Sequence, residues 1–519
     1  MGSAGPVAGV IGGAMASSLP RSVLYIIGNE GCERFSFYGM RNILVSFLST
    51  YLLLELPEES RGPAAKEVFH TFVIGVYFFP LLGGWLADRY WGRYNTIFWL
   101  SLLYTLGHAC LALFEGQREG FYLGLFLIAL GSGGIKPCVS AFVGDQFSSD
   151  NRAQARVVFD AFYWIINFGS FFATLLIPLT LSRLGPSWAF GIPGILMGLA
   201  TLVLWLGRDL YVRVPPAPPD PDGFSGVARS ALLAEGPGRV LAGLGLLAAL
   251  GSLATIPSLG VVVALCLGLV GLLGLGGLGL WLQLGRLREQ HSDEAVDGVR
   301  SVLRLLLLFA LITPFWSLFD QKASTWVLQA DAMTKPSWFH AAQMQALNPA
   351  LVMLLIPFNN IVLYPLLRHL GVEVTALRKM TVGIALSGVA WLVVGSMQLS
   401  LEAGTVLSIT TQILPYLILT MAEVLVSATG LEFAYSQAPL RMKSALMSFW
   451  SLSVTVGNLW VLLVNLGVRR PEVGEVAASF GMGVTSFQMY FFALFALVAA
   501  TLFGLYARSF PVVDRYRAA

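Results

Sequence analysis

Residues 22–54 read SVLYIIGNEGCERFSFYGMRNILVSFLSTYLLL. A bilayer crossing takes about 20 apolar residues, and this run is long enough, yet it carries Glu30, Glu33, Arg34 and Arg41. Each charge at mid-helix costs roughly 2.5 to 3.5 kcal/mol on an insertion scale, so a span that keeps four of them uses them. Working outward, apolar stretches recur near 68–87, 94–114, 121–147, 157–181 and 188–207, which makes six with the first. Six more lie near 302–330, 345–367, 380–400, 405–436, 444–467 and 484–507. Between the two sets a linker, PPAPPDPDG, which reads as either a hinge or a spacer, leads into two runs of Leu, Gly, Ala and Val near 238–256 and 259–284. The spacing predicts an all-α polytopic membrane protein of fourteen spans: a tail over 1–20, a six-helix bundle over 21–208, a linker with two additional spans over 209–300, a second six-helix bundle over 301–508 and a tail over 509–519.

Composition agrees. Of 519 residues, 56% are hydrophobic and 12% charged, with a mean hydropathy of +0.73; a soluble domain is about a quarter charged, so a water-soluble enzyme is excluded. The net charge of +3 points to no nucleic-acid partner. Cys32, Cys110, Cys138 and Cys266 all fall in apolar runs and read as small buried side chains, and the five histidines, His108 among them, show no metal spacing. No metal or cofactor is therefore expected. Residues 1–20 lack a charged n-region and a short apolar h-region, so no cleavable signal is expected. Basic loops stay cytoplasmic, and with both termini inside about 21 of the 32 Lys and Arg fall on that side, among them Arg93, Arg208, Arg368, Lys379 and Arg441.

Nine charges lie more than three residues inside the ends of the predicted spans: the four in the first, Lys136 in the fourth of the first set, Asp320 and Lys322 in the first of the second set, and Glu423 and Glu432 in the fourth of the second set. First and fourth in each set is the placement two similar halves give when they surround one central cavity. At about 100° per residue, Glu30, Glu33, Arg34, Phe37, Tyr38 and Arg41 share one helix face. Two acids and a base at i, i+3 and i+4 can exchange partners as protons come and go. By the same projection Glu423, Ser427 and Gly430 form a stripe with Glu432 opposite. Trp316, Asp320 and Ser324 share a face, and Lys322 points about 200° away, to snorkel or pair elsewhere.

The motifs resemble one family, the proton-dependent oligopeptide transporters of the major facilitator superfamily. The resemblance runs through both halves: Glu30-Gly31-Cys32-Glu33-Arg34-Phe35 matches its ExxERF pattern, followed by SFYGMR; then come GGWLADRYWGRY, GSGGIKPCVSAFVGDQF, FYWIINFGS, FWSLFDQ, LNP and GLEFAYSQAP, in the family's order. It implies a major facilitator fold, two six-helix bundles with the two extra central helices of bacterial members, in a monomer of the cell inner membrane. It implies import of di- and tripeptides driven by a proton gradient. Residue by residue, it assigns Glu30, Glu33, Arg34 and Asp320 to proton coupling, and Arg41 and Lys136 to the peptide carboxylate, with Lys136 also pairing with the ExxER acids. Glu423 with Asn167 and Asn348 would hold the peptide amino group; Tyr38, Tyr77, Trp316 and Trp450 would line side-chain pockets, with Ser427 beside Glu423. The chain departs from the pattern at Phe37, where many relatives have tyrosine, and at Phe319, where many bacterial relatives have a second acid.

Structural readings stand beside these. Glu33 with Arg34 can be a static pair; Asp88, Arg89 and Arg93 read as a cytoplasmic gate or loop brace; Lys322 and Glu432 divide between pairing and gating; Trp316 and Trp450 can be interface aromatics. Two other functions compete: a transporter of the same fold moving nitrate or a peptide-like drug, and a polytopic membrane enzyme such as a peptidase. The second would need a nucleophile with a base, and neither GxSG with a partnering histidine nor HExxH occurs.

Overall fold

The computed structural model describes residues 20–147, 152–216, 218, 220–437 and 442–512. Residues 1–19 and 513–519 of the two tails, Arg441 and the last two residues of GLEFAYSQAP lie outside the described residues. In a bilayer every backbone N–H and C=O needs a partner within the chain, which apolar runs supply by becoming helices. The first bundle comprises α1 (Arg21–Phe47), α2 (Glu58–Phe78, continued by Pro80–Leu86), α3 (Gly92–Leu113), α4 (Arg118–Gly144), α5 (Arg152–Leu184) and α6 (Pro186–Leu206). A short helix α7 (Phe224–Leu233) and a hairpin of α8 (Pro237–Ser252) and α9 (Val261–Gln283) follow. The second bundle comprises α10 (Asp293–Asp320, followed after a break by Thr325–Asp331), α11 (Leu347–Phe358, continued by Tyr364–His369), α12 (Ala376–Glu402), α13 (Ile413–Glu423, continued by Thr429–Gln437), α14 (Lys443–Gly467) and α15 (Val484–Ser509).

Twelve helical stretches among the described residues are long and apolar enough to cross a membrane. One of them, Glu58–Leu113, is 56 residues long, more than two crossings' worth, and it reverses at Gly92, whose φ of +72° only glycine adopts readily. α1 is not among the twelve; Arg21, Glu30, Glu33, Arg34 and Arg41 crowd it with charge. Adding α1 and dividing the long stretch is compatible with the fourteen spans predicted.

The two bundles repeat one packing scheme. α1 packs on α5 and α6, α3 on α4 and α6, and α2 on α4; correspondingly α10 packs on α14 and α15, α12 on α13 and α15, and α11 on α13. The seam between them obeys the same symmetry, because α2 meets α14 and α5 meets α11. Each bundle has its own apolar core, one around Phe47, Phe69, Phe121 and Phe190 and the other around Phe315, Trp326, Trp391 and Phe492. The hairpin sits outside, touching the seam where Val263 and Cys266 meet Ile74 of α2 and Leu459 and Leu462 of α14. The linker is neither a free hinge nor a bare spacer: Val227 and Ala231 of α7 are fully buried in the second bundle's core. His291, just before α10, is hydrogen-bonded to Asp222 at 3.0 Å and Ser230 at 2.9 Å.

Two local departures from ideal helices relocate predicted site residues. α10 ends at Asp320; a 3-10 turn over Gln321–Ala323 and a kink at Ser324 (φ −130°, ψ −78°) follow, so the uninterrupted helix used to aim Lys322 away from Asp320 does not exist. In the tenth of the twelve bundle helices a π-turn over Val424–Ala428 separates Glu423 from Gly430. Its wider i→i+5 ring shifts the register, and the stripe of Glu423, Ser427 and Gly430 is lost.

Glycines in α4 let its neighbours approach closely. A Cβ on Gly83 of α2 would overlap the Gly134 carbonyl, and one on Gly131 would stand 2.7 Å from the Leu100 oxygen of α3. Overpacking of this kind costs about 1–3 kcal/mol. Gly83→Ala is accordingly expected to lower the thermal unfolding midpoint of the detergent-solubilised protein. Gly84→Ala, whose Cβ would meet only Pro137 at 4.0 Å, is expected to leave it unchanged.

Candidate functional site

α1 stays regular through Phe47, and its charged face forms as projected. Arg34 Nε donates to Glu30 Oε1 at 2.7 Å and lies 2.8 Å from Glu33 Oε2. Nε carries a single hydrogen, and its geometry gives that hydrogen to Glu30; among the described residues neither buried Glu33 oxygen receives a hydrogen bond of good geometry. One guanidinium thus holds two carboxylates, and Glu33 is the less satisfied of the two.

Two turns further along α1, Arg41 Nη2 donates to Asp320 Oδ1 of α10 at 2.6 Å, with both side chains buried. The other Asp320 oxygen accepts from Asn458 Nδ2 of α14 at 2.8 Å. Asn458 Oδ1 then faces His70 Nδ1 of α2 at 2.6 Å, and His70 Nε2 faces Ser324 Oγ at 2.9 Å. Since the Asn458 oxygen can only accept, Nδ1 of His70 is the protonated ring nitrogen, and a neutral ring takes the Ser324 hydroxyl hydrogen at Nε2. The chain Arg41–Asp320–Asn458–His70–Ser324 crosses the seam three times, and no member is more than 8% exposed. Gln345 Nε2 to the Asn42 carbonyl (3.3 Å), Gln343 Nε2 to the Leu175 carbonyl (2.9 Å) and Arg469 to Glu67 (2.6 Å) join the halves at the same end.

Lys136 corrects an expectation. It makes no ion pair or hydrogen bond with Glu30 or Glu33 among the described residues; its ammonium lies 4.7 Å from the Phe37 ring centroid and 4.2 Å from that of Tyr77. Two aromatic faces hold the cation by their quadrupoles, and the residue that departs from the family's tyrosine provides one of them.

The second bundle supplies the acid. Glu423 Oε2 accepts from Asn348 Nδ2 at 2.5 Å, and Asn348 Oδ1 accepts from Lys322 Nζ at 2.8 Å. The break after Asp320 thus brings Lys322 into the site from which a regular helix would exclude it. Trp316 and Trp450 are both buried and pack edge to face at 5.9 Å, and Gly430 lies against Trp450, where a Cβ would stand 2.5 Å from the indole. Ser427 is half-buried on the π-turn and makes no hydrogen bond among the described residues, so it does not join Glu423. Asn167 is buried on α5, and Tyr38 and Tyr77 are half-buried. Arg93 is ion-paired with Asp145 at the ends of α3 and α4, which is a brace within one bundle; Asp88 and Arg89 stand at the preceding turn. His108 is fully buried and only half satisfied: Nε2 is hydrogen-bonded to Ser36 Oγ at 2.8 Å, while Nδ1 has no hydrogen-bond partner among the described residues.

His70 and Asn458 were missed by the sequence reading. The signal His70 offers is an ionisable residue inside an apolar run, weakened by its place at the edge of the 68–87 stretch. Asn458 carries no comparable signal.

A family model described as PTR2, POT family, matches residues 94–234 and 283–474. A solved structure of an auto inhibited POT family peptide transporter is 62% identical over 96% of this chain and 99% of that one, with a TM-score of 0.94. The POT family transporter PepTSo is 63% identical over 95% of this chain and 98% of its own, with a TM-score of 0.93. Rabbit (Oryctolagus cuniculus) solute carrier family 15 member 1 is 30% identical over 416 residues, 74% of this chain and 52% of the rabbit protein. The chain spans about half the length of the curated relatives it matches.

Breaking one partner of a buried ion pair typically costs about 3–5 kcal/mol, whereas removing both charges is far milder. Asp320→Asn is therefore expected to lower the unfolding midpoint sharply, and Arg41→Gln in the same chain to recover much of the loss; strictly additive losses would show that the pair contributes nothing.

Proposed function

The chain belongs to the POT family and has its major facilitator fold, and from that premise we propose that it imports di- and tripeptides together with protons by alternating access. A peptide of any sequence presents an ammonium and a carboxylate a fixed distance apart. Glu423 and Asn348 of the second bundle, with Asn167 of the first, receive the ammonium, and Arg41 and Lys136 of the first bundle receive the carboxylate. Tyr38, Tyr77, Trp316 and Trp450 contact the side chains. The protein works as a monomer in the cell inner membrane with both termini cytoplasmic, and Asp88, Arg89 and Arg93 brace or gate the cytoplasmic loop. The tail boundaries at 20 and 509, the bundles over 21–208 and 301–508 and the linker between them remain the division we propose.

The observation that carries this reading is the Arg41–Asp320 ion pair across the seam. A peptide carboxylate that binds Arg41 competes with Asp320 for the same guanidinium, so loading the site loosens the contact that ties the bundles. In the proposed orientation that contact closes the outward-facing end. Glu33 is the proton carrier favoured because it is held by the ion pair with Arg34 without a hydrogen bond of good geometry among the described residues, and a buried carboxylate so weakly held is stabilised by taking up a proton. Protonation releases Arg34 from one of its two acids, and Asp320 is the second site at which a proton would free an arginine.

Glu33→Gln mimics the protonated acid permanently. It is expected to keep peptide counterflow, which needs only exchange, and to abolish proton-driven accumulation; unimpaired accumulation in that variant would remove Glu33 from the coupling step.

A further inference from the structure

Lys322 is 5% exposed and sits in the membrane-spanning part of the second bundle. It does not reach water by snorkelling, and it forms no direct ion pair with Glu423 or Asp320 among the described residues. Its ammonium instead lies 3.3 Å from the Phe319 ring centroid and donates to Asn348 Oδ1, while the amide of Asn348 donates to Glu423 Oε2 and, at 3.2 Å, to Thr420 Oγ1. The order is forced by chemistry: a lysine can only donate and a carboxylate can only accept, so the asparagine oxygen faces the lysine and its nitrogen faces the acid. The result is a cation and an anion one amide apart, in a region where an uncompensated charge is costly.

We infer that Lys322 is a resident counter-cation that stands in for the substrate's ammonium when the carrier is empty, and that it sets the affinity for substrates with a free amino group. This rests on the assignment of Glu423 to the amine end of the substrate. An incoming ammonium puts two cations beside one carboxylate, so the arriving cation competes with the resident one for Asn348 and Glu423. Part of the attraction of Glu423 for any amine is already used. Replacing Lys322 by a neutral residue of similar reach leaves the carboxylate uncompensated in the empty carrier and more attractive to an amine, and only to an amine. The kink after Asp320 is what gives the lysine this position, and it places the counter-cation two residues from the acid that holds Arg41.

The test is equilibrium binding of alanylalanine and its N-acetylated form to purified wild-type, Lys322→Gln and Lys322→Arg proteins. Lys322→Gln is expected to bind the free-amine dipeptide about fivefold tighter, as one screened charge contact affords, with the N-acetylated form changed less than twofold; Lys322→Arg is expected to behave as wild type. Equal or weaker binding of the free-amine peptide by Lys322→Gln would overturn the inference, since a lysine that binds substrate or merely packs produces that result. Thermal unfolding of the empty protein separates this from a failure of the peptide assignment. Lys322→Gln should lower the midpoint and Glu423→Gln in the same chain should restore most of it. Additive losses overturn the counter-cation whatever the site binds. Restoration with no binding of either peptide by wild type upholds it and shifts the error to the substrate.

Discussion

A charge inside a bilayer must be matched by another charge, a hydrogen bond, an aromatic face or a proton, and that constraint organises this molecule more than any apolar contact does. Arg34 is matched by Glu30 and Glu33, Arg41 by Asp320, Glu423 by Asn348 and, through it, Lys322, and Lys136 by two aromatic rings. The apolar cores of the two bundles are separate. The buried polar chain from Arg41 to Ser324 links them by bonds that can be exchanged for others without unpacking either core. A contact that is strong only while its partners remain ionised is suited to a structure that must open and close.

The repeated packing of the bundles explains where the charges are. α1 and α4 of the first bundle correspond in the packing scheme to α10 and the helix of Glu423 in the second, and these carry the membrane-embedded charges. Symmetry puts them around a common centre, while the sequence makes the two sides chemically unlike: basic at Arg41 and Lys136, acidic at Glu423. The added hairpin and α7 attach to this frame from outside, one at the seam and one on the second core.

Much of this was legible in residues 22–54 alone, because α1 runs without interruption to Phe47 and the projection of Glu30, Glu33, Arg34 and Arg41 onto one face holds. Spans and their grouping followed from hydropathy, which is a sum over many residues and tolerates local irregularity. Individual side-chain directions beyond a break did not. The 3-10 turn after Asp320 reversed the reading of Lys322, and the π-turn at Val424–Ala428 dissolved the stripe that included Ser427. The aromatic seat of Lys136 joins α1, α2 and α4, and no single-helix projection contains it. The bond from His70 to Asn458 spans 388 positions and has no local signature.

The most direct measurement of the central claim uses the purified protein in liposomes whose interior is alkaline and negative, with a labelled dipeptide outside. The account predicts accumulation above the equilibrium level that collapses on adding a protonophore. Equilibration of the peptide without accumulation would contradict it, because the buried acids of α1 would then carry no proton coupled to the peptide.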